Sequence, residues 1–320
     1  THTHTHTHTH THTQTRTHAR TQGCSCGRAD TDAVSRKARI AALLGHALSA
    51  LPQLRVLRIP SLVTVSDTLC LSAHRCFIEA LPPSIKELHL HERVLSQEVL
   101  EAICRLSLDA LSFSGIDGMG EPYEPGSIAP LSSLKSLRWL SFHNGFRYQR
   151  QHSQAASSTI AALTNLRFLQ LTTMHFCEDW IALLPSSLER LHLESVKLDE
   201  IRDIIGGIAA AKPMIRYLWA EELELDTLDK DSRKCLVHAW SALPPGFRFE
   251  VDSLTSSADF HEVLACLSEL PHMASGVKWL SIYSLGSDRA APLPPSAFAR
   301  LARLCPSLEG AWGERTAVSL

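Results

Sequence analysis

The sequence predicts an α/β solenoid, a stack of strand–helix units with one parallel sheet along its concave side and helices on its convex side. Three observations predict it. A six-residue pattern with apolar residues at positions one, four and six recurs ten times. Between its copies lie stretches with apolar residues at three- and four-residue spacing. Proline then punctuates the approach to the next copy. A motif at regular intervals of this size marks stacked supersecondary units that bury a core only against their neighbours.

The copies are LRVLRI from Leu54, IKELHL from Ile85, LDALSF from Leu108, LRWLSF from Leu137, LRFLQL from Leu166, LERLHL from Leu188, IRYLWA from Ile215 and VKWLSI from Val277. GFRFEV from Gly246 and LEGAWG from Leu308 keep the spacing with weaker residues. Alternate residues of a strand point to opposite faces, so positions four and six turn inward together. Helical spacing runs over Val34–Leu51, Thr64–Leu81, Ser96–Leu106, Asp199–Ala211, Leu228–Leu243 and Ser257–Leu270. Pro52, Pro82, Pro185, Pro213, Pro244, Pro271 and Pro306 end such stretches, because proline restricts the residue before it and stops a helix. Strands pack about 4.8 Å apart and helices about 10 Å, so stacking both in one array bends it with the strands inside.

Over roughly Leu51 to Trp312 these residues resemble the leucine-rich repeat superfamily. The 22–31 residue units are similar to its longer, helix-bearing, ribonuclease-inhibitor-like classes. LARLCPSLEG at Leu301–Gly310 is similar to the cysteine-containing repeats of F-box substrate receptors, and LPPSIKEL and LPSSLERL resemble repeats of some bacterial effectors. The resemblance implies a curved stack of β-α units that binds protein. Within it, a second expectation is a substrate-recognition subunit of a ubiquitin ligase. A third is a fragment of a larger enzyme or receptor. The chain opens on Thr rather than Met and has no polar closing unit, which fits a fragment or a gene model carried too far upstream.

Residues 1–28 form a separate tail. Thr alternates with His there, and His2, His4, His6, His8, His10, His12 and His18 supply seven of the chain's eighteen histidines. Without an apolar anchor the tail is expected to lack structure. Its imidazoles would bind zinc or copper in a tube, but no biological metal role is assigned to them, nor to Cys24-Ser25-Cys26. Residues 29–320 form the repeat domain.

Composition is that of an ordinary soluble protein, 44% hydrophobic and 20% charged. The net charge of −2 implies no bulk attraction to nucleic acid or membrane. No apolar run reaches the roughly 20 residues that span a bilayer. The nine scattered cysteines read as reduced core thiols, with Cys70, Cys76, Cys104, Cys235, Cys266 and Cys305 on or beside the outer helices among apolar neighbours. That points to a reducing cytoplasmic or nuclear compartment.

Enzyme signatures are missing: there is no phosphate-binding glycine loop, no zinc-protease motif and no nucleophile elbow. The Gly/Pro-rich stretch from Gly115 reads as a loop insertion. Cys177-Glu178-Asp179 resembles the catalytic motif of effector ubiquitin ligases, but sits where Trp180, Ile181 and Leu184 read as helix core. No catalytic residue, cofactor, metal ligand or small-molecule substrate is assigned, and His89, His91 and His192 read as polar strand residues.

The outward motif positions give the candidate site. Position two is basic in six of ten units, including Arg138, Arg167, Arg216 and Lys278. Positions three and five carry Trp139, Phe168, Tyr217, Trp219 and Trp279. Just past the motif, Glu194, Glu221, Glu222 and Asp252 gather at consecutive units. The expectation is a concave protein-binding face with a basic edge, an aromatic middle and an acidic far edge.

Overall fold

The computed structural model describes residues 39–40, 43–59, 71–91, 97–114, 128–143, 153–171, 180–194, 196–211, 214–225, 230–256, 260–282, 295–313 and 316–319. The Thr/His tail, Cys70, the Gly/Pro-rich stretch and Cys177–Asp179 lie outside them.

Each motif copy forms a strand. The strands are β1 (Val56–Ile59), β2 (Glu87–His91), β3 (Ala110–Ser114), β4 (Trp139–Phe142), β5 (Phe168–Leu171), β6 (Arg190–Leu193), β7 (Val196–Lys197), β8 (Tyr217–Glu224), β9 (Arg248–Ser256), β10 (Val277–Ile282), β11 (Gly310–Gly313) and β12 (Thr316–Ser319). They make one sheet in chain order, with β7 beside β8. Every pairing is parallel except that of β11 with β12. The two weak copies, GFRFEV and LEGAWG, are strands like the rest. This is an α/β solenoid of the leucine-rich-repeat kind.

A repeated turn sets each strand's entry. The position-one N–H donates to the carbonyl three residues back, as in Leu54 to Leu51, Ile85 to Pro82, Leu137 to Leu134, Leu166 to Leu163 and Leu188 to Pro185. The first apolar side chain is thereby driven inward. Ile85, Leu108, Leu137, Leu166, Leu188 and Ile215 are fully buried, as are Leu88, Leu111, Leu140, Leu169, Leu191 and Leu218 at position four. A carbonyl ladder locks unit to unit. The position-two N–H donates to the position-two carbonyl of the previous unit, from Lys86 to Arg55 through Arg216 to Glu189, and in the next unit Arg248, at position three, donates to Arg216. Serines one residue before the motif add a second tie: Ser84, Ser136 and Ser187 donate to the carbonyls of Leu54, Leu108 and Leu166 at 2.7–2.8 Å.

The expected helices fall at Leu71–Glu79, Gln97–Ile103, Leu198–Ala211, Lys230–Ser241 and Phe260–Glu269. Trp180, fully buried, starts the short helix Trp180–Leu183 as core. Helices at Ser153–Ala161 and Pro295–Leu304 stand where the sequence reading placed none. Cys266 and Cys305 are buried thiols, and burial pushes both up to about 11. Cys76 and Cys235 are exposed, on the solvent side of their helices, so they are not part of the core as expected.

One register differs from the motif alignment. In β6–β7, β8 and β9 the inward positions step by two and then by three: Leu191, Leu193, Val196; Leu218, Ala220, Leu223; Phe249, Val251, Leu254. The extra residue bends all three strands at the same level and creates a second segment beyond the bend. The following strand, β10, joins that second segment. Val277 pairs with Val251 and Trp279 with Ser253, whereas motif alignment puts Trp279 beside Arg248. The position-two ladder breaks there, and Val251 N–H donates instead to Gly276 O. The shift depends on Gly276. A Cβ at that site would lie 2.0 Å from Phe249 O and 2.9 Å from Phe249 C, both backbone atoms.

Gly276→Ala is therefore expected to lower stability by about 2–4 kcal/mol in denaturant unfolding, since neither backbone can yield without breaking the ladder. Gly206→Ala, with nothing within 4 Å of its Cβ in the helix Leu198–Ala211, should raise stability by about 0.5–1 kcal/mol. Equal effects at the two sites would contradict the β9–β10 register.

Candidate functional site

The parallel registers place the outward positions in rows across the strands. Row three runs Trp139, Phe168, Arg190, Tyr217, Arg248. Row five runs Ser141, Gln170, His192, Trp219, Glu250. The residues one step beyond the motif, His143 and Glu194 just past the ends of β4 and β6 and Glu221 and Asp252 within β8 and β9, form row seven.

The rings in rows three and five pack on one another. Trp139 meets Phe168 edge-on with centroids 5.3 Å apart, and His89 meets Trp139 at 5.7 Å. Trp219 stacks flat on His192 at 3.9 Å. Trp139, Phe168, Tyr217 and Trp219 are each half-buried. Such edge and offset geometries suit the ring quadrupole. Trp279 is exposed, and the β9–β10 shift removes it from this group by five residues, about 16 Å along the strand. Its row contains Glu222 and Ser253 instead.

Arg138, Arg167 and Arg216 are exposed, as are Arg190 and Arg248. Arg167 pairs loosely with Glu189 at 3.5 Å. Arg190, Arg216 and Arg248, with Glu189, Met214 and Tyr217, line a cleft of 660 Å³. Sequence reasoning missed Arg190 and Arg248 as partners of Arg216, because they occupy position three rather than two. Burial, then a hydrogen bond to Glu250, pushes the Tyr217 phenol up to about 12.

Beyond the rings the charge reverses. Lys278 Nζ lies 2.7 Å from Asp252, 3.3 Å from Glu250 and 5.6 Å from the Trp219 ring centroid. Those contacts, the Asp252 hydrogen bond first, raise its pKa. Glu221 is half-buried, and burial, then repulsion from Glu194, raises its carboxyl. Glu222 is exposed.

Rows five and seven also assemble a polar cluster that sequence reasoning missed. Glu194 is 5% exposed. It accepts from Gln170 Nε2 at 2.8 Å and contacts His143 Nδ1. Ser141 Oγ donates to Gln170 Oε1 at 2.8 Å, which turns the amide nitrogen toward Glu194. One donor atom each from His143, Glu194 and Glu221 lies within 4.8 Å of the others. His143 and Glu194 are 51 residues apart and reach over β5 to meet. The readable signal is their shared seventh position, noted for the acids but not for His143. Histidines outside the tail thus converge with carboxylates despite lacking ligand spacing in sequence.

No protein-family profile and no curated protein matches the chain. Solved structures similar to it include TLR13 in its complex with ssRNA13, 17% identical over 73% of this chain and 29% of that one, with a TM-score of 0.40. Another is a protein from Bacteroides fragilis, 13% identical over 55% of this chain and 52% of that one, with a TM-score of 0.31. The chain thus spans under a third of the TLR13 chain and about half of the bacterial one. No helix of the described residues is long and apolar enough to cross a membrane.

His192 gives the face a pH signature. It is 4% exposed, and burial lowers its pKa to about 4. Between pH 6.5 and about 4 the unfolded chain takes a proton that the folded chain refuses, so stability falls as pH falls through that window and levels off for this group below it. His192→Gln, measured by urea unfolding in EDTA, should remove on the order of 2 kcal/mol of that fall. An unchanged pH dependence would contradict the burial of a neutral imidazole.

Proposed function

We propose that this chain is a non-catalytic scaffold that binds a protein partner on its concave, strand-side face. The observation that carries the reading is row three, where Trp139, Phe168 and Tyr217 stand half-exposed beside a line of exposed arginines. Large rings and arginine are the residue types that supply most binding energy at interfaces. Rings already packed on each other lose little freedom when a partner covers them. The complementary partner places apolar anchors on the rings and acidic side chains over Arg190, Arg216 and Arg248. The acidic far edge, with Glu221 and Glu222, repels a reversed orientation and fixes polarity. Trp279 and Lys278, in the shifted register, form a separate outer contact. The free thiols of Cys76, Cys104, Cys235, Cys266 and Cys305 support a reducing compartment such as cytosol or nucleus.

The test compares the parent with Trp139→Ala/Phe168→Ala/Tyr217→Ala and with Val237→Ala on the exposed side of a convex helix. All three are first checked by circular dichroism, and affinity is then measured for a partner captured from extract. A loss of about 30-fold or more is expected for the folded triple variant and none for Val237→Ala. A partner held equally by all three would place binding elsewhere.

A further inference from the structure

We propose that His143, Glu194 and Glu221, with the buried imidazole of His192 beside Glu221, form a binding site for a divalent transition-metal ion of the zinc type, set on the strand-side face between β4 and β8. Three observations carry it. The first is convergence: one ligand atom each from His143, Glu194 and Glu221, all at the seventh motif position, falls within 4.8 Å of the others. The second is the unpartnered imidazole of His192. Its ring is 4% exposed, its Nε2 has no hydrogen-bond partner, and that nitrogen faces Glu221 Oε2 at 3.8 Å. A buried nitrogen without a partner costs free energy that a ligand would recover. The third is orientation from behind. Ser141 fixes Gln170, Gln170 fixes Glu194, and Trp219 stacked on His192 holds the ring plane. Metal sites show this outer layer of hydrogen bonds to the ligands.

The chemistry of the donor set selects the ion. An imidazole and two carboxylates, with a second imidazole beside Glu221, suit zinc and its neighbours, whereas magnesium and calcium take oxygen ligands. His143 Nδ1 contacts Glu194 Oε1, and the ion would lie between them, with the two side chains moving apart to admit it. His143 is 39% exposed and Glu221 46%, so the site opens toward the concave surface. The ion would turn the negative row around Glu194 and Glu221 into a spot able to accept a partner's carboxylate or imidazole.

Thermal unfolding of the full chain tests this, because variants at single ligands separate this site from every other metal-binding group of the chain. The parent, E194Q and H143Q are melted in EDTA and with zinc chloride. The parent's Tm should rise by about 5 °C once free zinc reaches about a hundred times its dissociation constant. Both variants should lose most of that shift, and magnesium should give none. If E194Q or H143Q melts too low to compare, E221Q, altered at the more exposed ligand, decides. No shift in the parent, or equal shifts in parent and variants, overturns the proposal. So does an equal shift with magnesium.

Discussion

Everything on the strand-side face depends on one constraint: the apolar side chains at positions one, four and six must enter a single continuous core. Removing any one such leucine costs about 2–5 kcal/mol. A one-residue slip would send the whole inward set of a strand to solvent. Through β8 the core, the repeated turn and the position-two carbonyl ladder therefore agree on one alignment of unit on unit. Row membership follows from that alignment, and rows decide which outward side chains meet.

The bend in β6–β7, β8 and β9 obeys the same constraint in a different way. Leu223 and Leu254 remain buried although they lie three residues past the previous inward position. The outward side gains a residue in each strand, and that is where Glu194, Glu221 and Asp252 collect. Beyond the bend β10 docks one segment further along, and Lys278 consequently reaches Asp252 and Glu250. The charge reversal across the face is thus a consequence of the same geometry that fixes the core.

Much of this is legible in the sequence. The leucine spacing gives the strands, their order and their inward side, down to the weak copies at Gly246 and Leu308. It places the Trp139–Phe168–Tyr217 row, since only parity and alignment are needed. What the sequence withholds involves a second dimension. A motif alignment carries no record of a shared bend, so Trp279 was expected beside Arg248 rather than Ser253. His143 and Glu194 meet only because two side chains reach across an intervening strand, a distance that linear spacing does not encode. Cys76 and Cys235 were read as core because their neighbours are apolar, yet each lies on the outer side of its helix.

The register itself is open to direct measurement. Cysteines placed at Ser253 and Trp279 would be ladder neighbours, with Cα atoms about 5 Å apart and able to form a disulfide. A pair at Arg248 and Trp279 would be about 16 Å apart along the strand and could not. After mild oxidation and proteolysis, mass spectrometry should find the cross-linked peptide in the first variant and not in the second. A cross-link in the second and none in the first would show that the motif alignment holds throughout, and the shifted sheet described above would be wrong.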